Sequence, residues 1–167
     1  NGIKIIGHNG IDLRAEHGTP VRAAHDGMVT FAGLDGSAGW GVVLRTEEKM
    51  EYKEDGAYFK SLYWHLIPTI PVKAGQKVKV GDVIGYADNT GLSTGSHLHW
   101  GLKPQIQGEE DWVWVNPEQK NGYLGAVNAM LYCNGYFAED AHTVLPAYMK
   151  LVELLKQAVA LLRITKK

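Results

Sequence analysis

The sequence predicts a mainly β fold, a compact antiparallel β-sandwich or barrel-like domain with a C-terminal α-helical extension. Three observations carry this expectation. Short apolar runs alternate with turn residues over the first two thirds of the chain. Twenty glycines fall largely between those runs. Helical periodicity is confined to the end, where Tyr148, Leu151, Val152, Leu155, Val159 and Leu162 recur on one face and Lys150, Glu153, Lys156, Gln157 and Arg163 on the other.

Taken in order, Val21-Arg22-Ala23-Ala24 leads into the turn pair Asp26-Gly27, after which Met28 to Gly33 alternates as a strand. Gly39-Trp40-Gly41 opens a second run, Val42 to Thr46. The charged stretch from Glu47 to Asp55 with Gly56 reads as a long solvated hairpin loop, and Ala57 to His65 as its return strand. Between Val72 and Gly85, glycines at regular offsets separate single valines, as compact turns joining short strands require. Ser96 to Leu102 is the last clear strand, and Pro104, which has no N–H for a ladder, is expected to end it. After Asn116-Pro117 the character changes. Residues 1–117 are read as one β domain and 118–167 as an extension, with weak helical potential at 126–132 and the amphipathic helix at 148–164.

The formal net charge of −1 provides no field for nucleic acid or an anionic membrane surface. No run of about 18 uncharged apolar residues exists that could span a membrane. The single cysteine, Cys133, allows no internal disulfide and belongs to no cysteine-based metal pattern. The chain begins at Asn1 rather than methionine, which is compatible with a removed leader or further upstream residues.

Chemistry concentrates in three short segments: His8-Asn9-Gly10-Ile11-Asp12, Tyr63-Trp64-His65-Leu66 and His97-Leu98-His99-Trp100-Gly101. Imidazole nitrogen and carboxylate oxygen are good zinc ligands, and two imidazoles with one carboxylate leave a fourth position for water. In a strand, His97 and His99 face one way while Leu98 and Trp100 face the core. Gly101 is expected to keep the histidine face open. Gly7 and Gly10 argue against a helix through His8 and Asp12, so a glycine turn beside a strand must bring these two together. Alternation puts Tyr63 and His65 on a shared face. His17, His25 and His142 have no such companions and are read as surface residues or as residues that support the site from behind.

These segments resemble the lysostaphin/LytM family of zinc endopeptidases, which cut peptide bonds in bacterial peptidoglycan. The likeness runs from His8 to about Pro117. It includes His-x-Gly-x-Asp-Leu at His8 to Leu13, Gly18-Thr19-Pro20-Val21, and Ala24-x-Asp26-Gly27-x-Val29. It continues through Tyr63-x-His65-Leu66, the Val72 to Gly85 glycine pattern, and Asn89-Thr90-Gly91-x-Ser93-Thr94-Gly95-x-His97-Leu98-His99.

The resemblance implies that His8, Asp12 and His99 bind Zn2+ and that His65 and His97 are catalytic histidines outside the ligand set. His97 is expected as base and His65 as oxyanion partner, with the exchange of roles left open. It also implies a peptide substrate in the wall, and a working place outside the cytoplasmic membrane: extracellular, periplasmic, wall-associated, or in a phage lysin. Two departures are visible. Ser96 stands where the family usually has proline, and the loop from Glu47 to Lys60 is long enough to line or lid the cleft. A non-catalytic wall-binding relative is the alternative; such relatives lose ligands, and all three are present here. The Val72 to Gly85 segment is also similar to half of a biotinyl/lipoyl carrier domain, but no lysine stands in a carrier setting, so the likeness implies shared β geometry of the duplicated-hybrid-motif kind. The 148–164 helix is expected to dock or self-associate.

Overall fold

The computed structural model describes residues 7–108, 112–114 and 123–132. The chain divides into two compact units, Asn1–Ala129 and Met130–Lys167. The expected 148–164 helix, Cys133 and His142 lie outside the described residues. No helix among the described residues is long and apolar enough to cross a membrane.

The mainly β, antiparallel class is borne out. The strands are β1 (Ile11–Arg14), β2 (Pro20–Arg22), β3 (Gly27–Asp35), β4 (Gly39–Arg45), β5 (Tyr58–Trp64), β6 (Lys77–Val78), β7 (Val83–Tyr86), β8 (His97–Gln107) and β9 (Trp112–Trp114), with 3₁₀ turns at Gly36–Ala38 and Ala129–Tyr132. The large sheet runs β1-β8-β5-β4-β3-β6, with β9 also on β8, and β2 pairs β7 in a separate two-stranded sheet. Residues 42–44 and 62–64 read as unbroken apolar runs because β4 and β5 are central and covered on both faces. Val29, Val42, Leu44, Phe59, Tyr63, Leu66 and Ile84 are fully buried.

Register decides which side chains share a face. Trp64 lies opposite His99, and Tyr63 opposite Trp100. On the Trp64 face, Val43, Leu62 and Trp64 pack together with Phe31 and Ala38. This cluster backs the cleft described below. The opposite face carries Tyr63, whose hydroxyl accepts the Ala24 N–H at 2.9 Å.

Pro104 does not end its strand: β8 continues to Gln107. Pro104 faces Phe59, whose N–H donates to Thr46 Oγ1 at 2.9 Å and whose carbonyl accepts the Thr46 N–H at 3.0 Å. Both polar groups of Phe59 therefore point to the β4 side, the Phe59–Pro104 pair is a non-hydrogen-bonded one, and proline's missing N–H removes no rung. On its other edge β8 is shared, with β1 against His97 to Trp100 and β9 against Gln105 to Gln107. Between them the Val127 N–H donates to Leu102 O at 2.9 Å.

Candidate metal centre

β8 supplies His97 and His99 from one face, while Leu98 and Trp100 are buried on the other, as alternation requires. β1 runs antiparallel beside it and sets Asp12 directly opposite His99. The chain reaches β1 through the bend at Gly10. A Cβ at Gly10 would lie 2.5 Å from Trp100 O and 2.8 Å from His99 Nε2, and one at Gly101 would lie 2.3 Å from Asn9 O. Both glycines are thus needed for the 8–10 segment to press against β8. This corrects the expectation that Gly101 keeps the histidine face open: the Asn9 backbone fills that place.

Asp12 Oδ1 is the focus of the cluster. It stands 3.1 Å from His8 Nε2, 3.1 Å from His99 Nδ1 and 3.6 Å from His97 Nε2. One ligand atom from each of His8, Asp12 and His99 falls within 4.8 Å of the others. The His8 and Asp12 side chains are half exposed, while that of His99 is only 8% exposed. Burial outweighs the nearby carboxylate and pushes the His99 pKa down to about 4, so the ring is neutral at neutral pH. Its Nε2–H donates to Asn9 Oδ1 at 2.8 Å, which leaves a lone pair on Nδ1. That lone pair faces a carboxylate oxygen, an arrangement a cation between them satisfies. The donor set therefore fits a divalent metal of the imidazole- and carboxylate-binding kind.

His65 departs from expectation. Alternation would put it with Tyr63, on the face away from His99. Instead the backbone leaves β5 at Trp64, and His65 takes the left-handed region with φ of 64°. This single residue turns the ring into the cluster, with its centroid 4.6 Å from that of His97 and 6.0 Å from that of His99. His65 Nδ1–H donates to Thr90 O at 2.7 Å and His97 Nδ1–H to Gly95 O at 2.8 Å. In this tautomer each ring keeps an acceptor lone pair on Nε2. Burial, aided by His97, holds the His65 pKa below its ordinary value.

Three residues that the sequence did not single out support this arrangement: Asn9, Thr90 and Asp88. The Asp88 N–H donates to His65 O at 2.8 Å, and its carbonyl accepts the His97 N–H at 3.2 Å. One residue thus joins the backbones of both histidines. Its carboxylate is held by His17 Nδ1 at 2.8 Å, so His17 stands behind the pair as a supporting residue. Asn9 and Thr90 sit inside motifs that the resemblance covers and could have been noticed there; Asp88 carries no local signal.

The cluster floors a cleft of about 510 Å³. Its wall is formed by Ser37, Ala38, Trp64, Leu92, Ser93 and Thr94. The Leu92 N–H donates to Ser37 O at 2.7 Å and so ties the two wall segments together. No residue of 47–60 lines this cleft, which corrects the lid expectation. That loop enters β5 at Tyr58, whereas His65 follows the opposite end of this seven-residue strand, about 23 Å away. Residues 46–50 instead border a separate cavity of about 330 Å³ with His25, Asp26 and Lys79.

Comparison with known proteins agrees with the geometry. The sequence pattern of Peptidase family M23 matches residues 6–117. The chain belongs to this family. Within M23, it is 40% identical over 110 residues to the DD-carboxypeptidase/endopeptidase Mpg of Neisseria meningitidis serogroup B, an alignment covering 66% of this chain and 22% of that protein. It is 37% identical over 99 residues to the glycyl-glycine endopeptidase ALE-1 of Staphylococcus capitis, covering 59% of this chain and 25% of that one. Among solved structures, the catalytic domain of the antimicrobial peptidase lysostaphin from Staphylococcus simulans superposes with a TM-score of 0.58 at 28% identity, covering 80% of this chain and 84% of that one. The chain spans about a fifth to a quarter of the length of these two curated relatives.

Proposed function

We propose that this M23 chain is a zinc-dependent endopeptidase that hydrolyses peptide bonds in bacterial peptidoglycan, in its cross-link or bridge peptides, with residues 1–117 as the catalytic domain. The observation that carries this reading is the convergence of two donor groups in one open cleft. His8, Asp12 and His99 form a metal-binding face, and His65 and His97 stand beside it with free Nε2 atoms. His8, Asp12 and His99 would hold the zinc, which when bound would supply Lewis-acid polarisation of a scissile carbonyl and acidify water.

The chain's own residues do the rest. Asn9 fixes the His99 tautomer so that Nδ1 is available as a ligand. The carbonyls of Thr90 and Gly95 hold His65 and His97 as Nδ1–H tautomers, so that Nε2 of either ring can take a proton from the attacking water. The protonated ring then returns that proton to the leaving nitrogen, while its neighbour donates to the developing oxyanion when its Nε2 also carries a proton. The two share one hydrogen-bonding pattern, so base and oxyanion partner are interchangeable by geometry. Burial keeps His65 neutral to lower pH than a free histidine, so its Nε2 lone pair is available, at a lower proton affinity.

Because the substrate lies in the cell wall, the working place is outside the cytoplasmic membrane. The names of the two curated relatives specify different bonds, a DD-peptide bond and a glycyl-glycine bond. The decisive experiment measures zinc per chain and digests purified peptidoglycans of different cross-link chemistry, with mass analysis of the products. One zinc per chain with cleavage of one peptide class is the expected result. Stoichiometric zinc with no cleavage of any wall type overturns it in favour of a binding module.

A further inference from the structure

The family match ends at residue 117, yet the chain builds one more wall beside the metal centre. Residues 123–129 return to β8 through the Val127 N–H bond to Leu102 O. A tight turn holds the segment: Leu124 and Gly125 are left-handed at 52° and 83°, and the Ala126 N–H donates to Tyr123 O at 3.0 Å. Ala126 and Ala129 are buried beneath it, at 5% and 0% exposure. Tyr123 projects outward and is 61% exposed. With His8, Gly10 and Ile11 this segment borders a cavity of about 260 Å³.

His8 lines both this cavity and the catalytic cleft. The two spaces therefore share one imidazole, with His65 and His97 lining the first alone and Tyr123 the second alone. We propose that the second cavity is a substrate subsite, supplied by a segment beyond the family match, that takes a small uncharged residue of the peptide on the side of the scissile bond away from His65 and His97. This inference rests on the peptidase reading above.

Three features argue for that occupant. An extended peptide advances about 3.3–3.6 Å per residue, so a chain lying across the metal centre passes His8 and enters the cavity within a few residues of the cut. Isoleucine, alanine and valine line the cavity with the neutral tips of Tyr123 and Asn128, and no acidic or cationic side chain other than the His8 imidazole borders it among the described residues. Among the described residues a charged substrate group would meet no partner there other than the His8 imidazole. The volume, half that of the main cleft, suits a glycine- or alanine-sized residue with its peptide groups.

The test uses the full chain loaded with zinc and a set of defined wall peptides, some truncated on one side of the cut so that they cannot reach Tyr123. Tyr123→Ala is expected to raise KM about tenfold on the longer peptides, the loss of one aromatic contact, with kcat, zinc content and the KM of the truncated peptides unchanged. Tyr123→Phe should behave as the parent. Asn128→Lys should shift preference towards peptides with glutamate at that place, a change that mere destabilisation does not produce. Peptides with glycine against alanine there distinguish the two small residues. Calorimetric binding of the same peptides to the zinc-free chain separates the two proposals. If the parent cuts nothing but binding still depends on Tyr123, the peptidase reading falls and the subsite stands. If the parent cuts and Tyr123→Ala changes neither KM nor binding, or changes truncated and long peptides alike, the subsite is overturned.

Discussion

His25, just before β3, and His65, just after β5, each direct Nδ1–H at a backbone carbonyl: Asp26 O at 2.8 Å and Thr90 O at 2.7 Å. Burial is the largest influence on both and lowers the pKa of both. What differs is the other nitrogen. His25 Nε2 accepts the hydroxyl of fully buried Ser61 at 2.8 Å, so its lone pair is used inside the fold. His65 Nε2 is left to the cleft, beside His97 and the Asp12 cluster. Two histidines with the same tautomer and the same direction of pKa shift thus have different capacities, because reactivity follows from what the second nitrogen faces.

The largest expected effect breaks the cleft in two ways. Asp12→Ala or His99→Ala should lose both zinc and activity. His65→Ala or His97→Ala should keep zinc and lose roughly three orders of magnitude in kcat/KM, a barrier increase of about 3–5 kcal/mol. Zinc content and turnover on one peptide check both. Release of metal from His97→Ala would show that the division between ligand and proton carrier is wrong.

A smaller effect sharpens the comparison through pH. His25, His65 and His99 all have folded pKa values below the ordinary 6.5, and His99 is at about 4. Between about pH 6.5 and pH 4 the unfolded chain binds protons that the folded, metal-free chain does not. Stability of the zinc-free protein must therefore fall as pH falls through that window, with His99 contributing at most about 3 kcal/mol. Denaturant titrations of chelator-treated protein at pH 7, 5.5 and 4 measure the slope, and His99→Gln should flatten it. A flat profile in the parent would refute the buried neutral state.

The smallest effect isolates His25. His25→Ala leaves Ser61 Oγ buried without that partner and should cost about 1–2 kcal/mol of stability while kcat/KM at saturating zinc stays within twofold. A loss of activity comparable to that of His65→Ala would erase the distinction between the two histidines.

The strands were legible because their signals are local. The apolar runs at 42–44 and 62–64, the turn pair Asp26-Gly27 and the charged loop from Glu47 all appear where periodicity and turn chemistry place them. The common side of His97 and His99 follows from strand alternation alone. Pro104 misled because a missing N–H matters only where the partner strand needs it. That depends on the direction of Phe59's polar groups, set by Thr46 just past the end of β4.

The candidate site divides along the same line. The sequence by itself determined the donor types, the bend at Gly10 and the shared face of His97 and His99, all properties of a few consecutive residues. Only the tertiary structure decided that Asp12 lies opposite His99 across two strands, that Asp88 joins the backbones of His65 and His97, and that His65 turns into the cleft. Alternation predicts a side chain's direction only while the backbone stays extended, and one left-handed residue reverses it. Contacts such as His17 with Asp88, 71 residues apart, leave no periodic trace in the chain; they exist only once the sheet has closed.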